Sequence, residues 1–253
     1  MGKRTFLVLI LVVGMSVPAS GARGAIVLFQ GADPGVPQGG ARPNSDAAST
    51  SFNVANAVLG PTQTVNFESS PIGAFISMMV GAGVTVTLSG VALTTADANG
   101  GISASPDTTL GYNTTAGGSR FLRIVPDTAQ GSTATAQFSF ATPVASFGAY
   151  FTGLGTASGN LTIQFNDGSN QSIPITGSSS GGVQFFGFTD AGKSISSVSA
   201  VLSNVIGSRD IYGIDDVRFA LVPEPAGMTL LLLAGSALVS ARRPRHRRAV
   251  AGA

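Results

Sequence analysis

The sequence predicts an all-β protein, a two-sheet β-sandwich of jelly-roll type with an apolar segment at each end. Three observations predict it. Outside the termini, Leu, Glu and Lys are sparse, while Val, Ile, Thr and Phe, which suit a pleated half-buried surface, are common. Short runs alternate apolar and polar residues with period two, the mark of a strand with one face buried and one wet. Gly-, Ser- and Pro-rich turns separate these runs at short intervals, giving ten to twelve expected strands. A closed barrel is the alternative architecture.

The elements follow in order. Residues 23–51 are rich in Pro, Gly and Ala and read as a flexible N-terminal arm. SFNVANAVL, Ser51 to Leu59, is the single expected helix, stopped by Gly60-Pro61. The sandwich is expected over 52–221. Its clearest strands are Thr64–Glu68, Val84–Leu88, Arg120–Val125, Thr135–Phe140, Leu161–Phe165 and Ser197–Leu202. Asn166-Asp167-Gly168-Ser169 is a hairpin signal, because Asp-Gly accepts the positive φ of a tight turn. Pro174, which lacks a backbone N–H, places the returning strand at a sheet edge.

Charge is unevenly distributed. The whole chain carries a formal charge of +2. Between Ile26 and Pro223, however, six basic side chains face eleven acidic ones, a body charge of −5. The basic excess sits at the two ends, so the high isoelectric point is no argument for nucleic-acid binding. The body contains no cysteine, and the single histidine, His246, lies in the C-terminal tail. Thiol catalysis, Ser-His-Asp catalysis and histidine-ligated zinc are thereby excluded from the body. Two-carboxylate glycoside hydrolysis remains chemically open; Glu68 is the body's one glutamate, so any partner to it must be an aspartate.

The termini read as addresses. Lys3 and Arg4, an apolar core from Phe6 to Met15 and small residues after it form a secretory signal peptide over 1–22. Cleavage is expected after Ala22, with Ala19 as the alternative. The Sec translocon is the implied partner. At the other end, residues 226–241 carry no charge and are expected to form a short transmembrane helix. Arg242, Arg243, Arg245, Arg247 and Arg248 follow it and would hold that end on the cytoplasmic side. A plain C-terminal anchor is the simpler reading of this pattern.

The order Pro223-Glu224-Pro225, short apolar run, terminal arginine cluster over 222–253 resembles the PEP-CTERM sorting signal of exported bacterial proteins. That resemblance implies a Gram-negative-type source and an exosortase that recognises the triplet. It further implies transient anchoring in the inner membrane, then delivery to the cell surface or extracellular matrix, in association with exopolysaccharide. TVNFESSPIG, FGAYFTG and FFGFTDAGKSISSV followed by DIYGIDDVRFA also resemble the β-sandwich ectodomains found ahead of such signals. No cofactor is expected unless calcium binds at Asp215 and Asp216. Neighbouring strand residues point to opposite faces, so both would meet one ion only across a bulge or bend. Otherwise one pairs with Arg218 or Arg209 and the other caps a turn. The functional expectation is a non-enzymatic exported protein; a calcium-dependent carbohydrate-binding module is the alternative, and a glycosidase the third reading. Tyr112, Tyr150 and Tyr212 are the rings available for sugar stacking, with core or rim packing as their alternative role.

Overall fold

The computed structural model describes residues 26–93, 100–127, 133–155, 158–203 and 210–222. The strands are β1 (Val27–Pro34), β2 (Thr62–Val65), β3 (Gly73–Ala74), β4 (Ser77–Gly81), β5 (Val84–Ser89), β6 (Gly101–Ser103) and β7 (Phe121–Ile124). They continue with β8 (Thr133–Val144), β9 (Ser146–Thr152), β10 (Ser158–Phe165), β11 (Asn170–Thr176), β12 (Gly182–Thr189), β13 (Ile195–Ser203) and β14 (Tyr212–Ala220). One helix, α1 (Pro43–Leu59), lies between β1 and β2. One sheet has the order β1-β12-β9-β14-β7-β6-β3, with β2 also paired to β14. The other runs β11-β10-β13-β8-β5-β4. From β8 onward the chain passes repeatedly from one sheet to the other, as expected of a jelly-roll sandwich.

The period-two strands bury what their pattern says. Val84, Val86 and Leu88 of β5, Ala134, Ala136 and Phe138 of β8, and Leu161, Ile163 and Phe165 of β10 all face the inter-sheet core. Their alternate residues, Thr, Gln and Ser, face outward. The β10–β11 hairpin closes at Asn166–Ser169, with Gly168 at φ 82° and the Ser169 N–H donating to Asp167 Oδ1 at 2.9 Å. Pro174 does lie on an edge strand, β11.

The N-terminal segment departs from expectation. From Ile26 on, the expected arm is not loose: Val27–Pro34 is an edge strand paired along its length with β12, and the helix begins at Pro43, eight residues before Ser51. The sandwich therefore starts at Val27 rather than residue 52. The cause is tertiary. Pro43 sits in the first turn, where a missing N–H is harmless. The open N–H groups of that turn are met from β1: Asn44 N–H donates to Asp33 Oδ1 (3.1 Å) and Ser45 N–H to Asp33 Oδ2 (2.7 Å). A carboxylate at a helix N-terminus also meets the positive end of the dipole. Burial alone would raise the Asp33 pKa, but the Ser45 and Asn44 donors outweigh it and hold the carboxyl below its ordinary value.

Helix α1 covers the outer face of the first sheet. Phe52, fully buried, packs edge-on to Phe29 (5.7 Å between centroids) and tilted against Phe185 (5.5 Å). Beneath it lie Gly148 and Gly187, which face each other across β9 and β12. A Cβ on Gly187 would stand 2.8 Å from both rings, so glycine here makes room for the helix. Strands β9 and β12 are consequently buried on both faces. Phe185 points to the helix while Phe186 and Phe188 point to the inter-sheet core. Among the described residues no helix is long and apolar enough to cross a membrane.

Candidate functional site

The site is built around an irregularity in β14. Its first half pairs with β7 and its second with β2, and the changeover falls at Asp215-Asp216. There the register against β9 slips by one residue, and Asp216 adopts φ 48°. This is a β-bulge, which re-aims side chains that a regular strand would send to opposite faces. Both carboxylates turn to the same loop. Thr114 N–H donates to Asp215 Oδ2 at 2.6 Å and Thr115 N–H to the same oxygen at 3.2 Å. The Thr114 hydroxyl lies 2.9 Å from Asp215 Oδ2 and 3.3 Å from Asp216 Oδ2, and the Thr115 hydroxyl donates to Asp216 Oδ1 at 2.7 Å. Arg218 pairs with Asp216 at 3.6 Å and donates to Ser49 Oγ on α1. Asp215 is fully buried, and its Oδ1 has no hydrogen-bond partner among the described residues. Burial, and then the neighbouring Asp216 charge, push the Asp215 carboxyl up to about 7 against the pull of the Thr114 donors.

Glu68 holds the other end of the loop. Its Oε1 accepts from Asn113 Nδ2 (2.8 Å), Ser119 N–H (2.9 Å) and Arg120 N–H (2.9 Å). Residues 113–120 are thus suspended from three carboxylates contributed by distant parts of the chain. Tyr112 joins this loop to the turn before α1 by donating its hydroxyl to Val36 O at 2.6 Å. Arg42 completes the join. It donates to Thr114 O (3.0 Å), pairs with Asp46 (2.9 Å) and lies 4.5 Å above the Tyr150 ring. Between the two segments opens a hollow of about 310 Å³, lined by Gln38, Arg42, Tyr112, Asn113, Thr114 and Thr115 among others. It is polar, carries one cation, and presents backbone and hydroxyl groups on a braced rim.

The aspartate pair singled out by sequence does converge, across the bulge that convergence required, and Asp216 does pair with Arg218. Arg209 lies outside the described residues. As calcium ligands the two carboxylates are largely spoken for. Three of their four oxygens accept from N–H or O–H donors, and Ca²⁺ needs six to eight oxygens. Among the described residues no group of three or more His, Cys, Asp or Glu side chains is placed to hold a metal. Asp210 stands apart and accepts from Gly155 N–H at 3.1 Å. The three tyrosines are each at most 2% exposed, so none offers a ring to a sugar. Pro223, Glu224, Pro225, the segment 226–241, the five tail arginines and the 1–22 leader with Ala22 all lie outside the described residues. Thr114, Thr115, Asn113 and Gln38 have no sequence signal of their own. Glu68 was conspicuous only as the body's single glutamate.

No family model matches the chain, and no curated protein does. Among solved structures it is similar to a family 29 carbohydrate-binding module (9% identity, TM-score 0.38, covering 64% of this chain and 92% of that one). It is also similar to the K2 cleaved adhesin domain of Lys-gingipain (16%, TM-score 0.39, 64% and 100%). A third is the family 11 carbohydrate-binding module of a cellulosomal cellulase of Clostridium thermocellum (9%, TM-score 0.35, 65% and 97%).

Proposed function

We propose that this is a non-enzymatic, exported polysaccharide-binding protein that uses the braced rim between residues 37–42 and 112–118 to hold glycan. One observation carries the reading: the carboxylates beside the hollow, Glu68, Asp215 and Asp216, are occupied as hydrogen-bond acceptors for the loop that forms it. A glycosidase needs one carboxyl free to protonate the leaving group and a second facing the sugar. Here the acids hold the loop, and the hollow is lined by hydroxyl, amide and guanidinium groups, which suit a polyhydroxylated ligand. A glycan array probed with the full chain is expected to give saturable binding without turnover. Gln38→Ala should weaken that binding about tenfold, and sugar release from any bound polysaccharide would overturn the non-enzymatic reading. Because Asp215 Oδ1 is the carboxylate oxygen of the pair left open, the array is run with calcium and with chelator. A calcium requirement lost in Asp215→Asn would assign the ion to that oxygen.

Delivery is the second half of the proposal. Support comes from the order of Pro223-Glu224-Pro225, the uncharged run and the arginine cluster, together with the leader at the opposite end. Two prolines fix φ and remove N–H donors, a composition that suits an extended substrate for a processing cleft. In a host with an exosortase, Glu224→Ala is expected to leave the chain full-length and membrane-held. Fractionation and gel mobility read this directly, and normal release of the variant would remove the sorting claim.

A further inference from the structure

The strand edges point to a second site, away from the rim. β1 ends one sheet and β11 ends the other, and a cleft of about 350 Å³ opens between them. That lies within the usual span of ligand clefts, roughly 300–1,000 Å³. Gln30, Pro174, Thr176, Gln184 and Phe186 line it. In register, Gln30 stands opposite Phe186 and Ala32 opposite Gln184, so the four residues form one row on the inner side of the β1–β12 pair. Gln184 is 9% exposed, and its amide makes no hydrogen bond among the described residues. A primary amide has two donors and an acceptor oxygen, all of which this one can offer to a ligand. Such an amide facing a cleft is a binding group awaiting its partner. It also borders a smaller adjoining hollow with Phe151 and Ser178, which extends the cleft along β12.

We infer that this lateral cleft binds a neutral polysaccharide chain, with the Gln184 and Gln30 amides reading sugar hydroxyls and the exposed Pro174 ring packing against a sugar C–H face. The inference rests on the polysaccharide reading above and adds a site and a ligand class to it. No charged side chain lines the cleft among the described residues, so uncharged sugars fit it better than uronic acids. An extended peptide adding to the sheet edge is less suited, because Pro174 interrupts the N–H row of β11.

Titration calorimetry of the detergent-solubilised full chain tests this with cellohexaose, laminarihexaose and mannohexaose as neutral probes. Hexagalacturonate serves as the charged probe, and a Thr-Val repeat octapeptide as the peptide. At least one neutral hexaose is expected to bind, and Gln30→Ala and Gln184→Leu are each expected to weaken it tenfold or more. Gln30 is exposed, so its variant should melt with the parent and report binding even if Gln184→Leu fails to fold. Neutral binding that survives Gln30→Ala and is lost in Gln38→Ala would overturn the cleft while leaving the rim reading intact. Absence of all glycan binding would overturn both. Stronger binding of hexagalacturonate or of the octapeptide, abolished by Gln30→Ala, would overturn the ligand class.

Discussion

Between about pH 4 and pH 7 the protein is expected to lose roughly 4 kcal/mol of stability that an Asp215→Asn variant retains, at ~1.4 kcal/mol per pKa unit over about three units. The sign follows from the direction of the shift. Burial and Asp216 raise the folded-state pKa of Asp215 to about 7 from an ordinary value of 3.8. Below about 4 the carboxyl is protonated in folded and unfolded chains alike, and its contribution is flat. As pH rises, the unfolded chain gives up the proton first while the folded one keeps it. The unfolded state then binds fewer protons, and stability falls until the folded group also ionises near 7. Asp33 and Asp107 are shifted the other way, so their contribution is fully present above about 4 and does not enter this window. Urea denaturation at pH 4, 5.5 and 7, with chelator present, checks the slope against Asp215→Asn. A parent stability that is level or rising over this range would refute the assignment. Asp215→Ala differs in kind: it leaves Thr114 and Thr115 N–H groups unpaired below the rim, at ~1–3 kcal/mol each.

That prediction bears on how far the site was legible. Asp215-Asp216 stood out because two adjacent acids in an apolar strand must be explained, and strand geometry alone said that a bulge was needed to unite them. Their partners were beyond reach. Thr114 and Thr115 lie about 100 residues upstream in a stretch of small polar residues with no distinguishing pattern. The same limit hid the loop-holding role of Glu68, whose acceptors' donors are 45 to 52 residues away. The lateral cleft needs two facts at once, that β1 and β11 are both edges and that they lie on the same side. Only the second strand announced its position, through Pro174.

The strands were legible wherever one face is wet, as in β5, β8, β10 and β13. They were harder where both faces are covered, because alternation then disappears. Ser146–Thr152 and Gly182–Thr189 are buried at every position. Phe185-Phe186-Gly187-Phe188 already contained the missing clue. Bulky rings on successive residues mean two apolar faces, and a sandwich core accounts for only one of them. Something had to cover the other, and Pro43–Leu59 does so. The Ala, Ser and Asn content of its first half, residues 43–50, resembles that of a loop, so composition concealed that half, while Ser51–Leu59, with Phe52, read as helix.

The helix should therefore unfold with the sandwich rather than ahead of it, and Phe52 is where this is decided. Phe52→Ala is expected to cost about 3–5 kcal/mol, the range for emptying a fully buried aromatic position that cannot collapse around the void. The surroundings here are rigid: two paired strands below, Phe29 and Phe185 on either side. Gly187→Val attacks the same contact from beneath. Its Cβ would already stand 2.8 Å from the Phe52 and Phe185 rings, and the added methyls have no open side, so overpacking of about 1–3 kcal/mol is expected. Urea denaturation followed by far-ultraviolet dichroism and by limited proteolysis within 43–59 separates the possibilities. If α1 is part of the cooperative unit, both variants lower the single midpoint of both signals together. If the segment were an arm resting on a self-sufficient sandwich, Phe52→Ala would expose 43–59 to protease and leave the sheet transition where it was. The Asp33 cap and the Arg218–Ser49 bond tie the helix to β1 and β14 as well. Because Arg42 and Asp46 at its start brace the rim through Thr114 and Tyr150, undocking the helix is expected to abolish the proposed glycan binding at the rim along with stability.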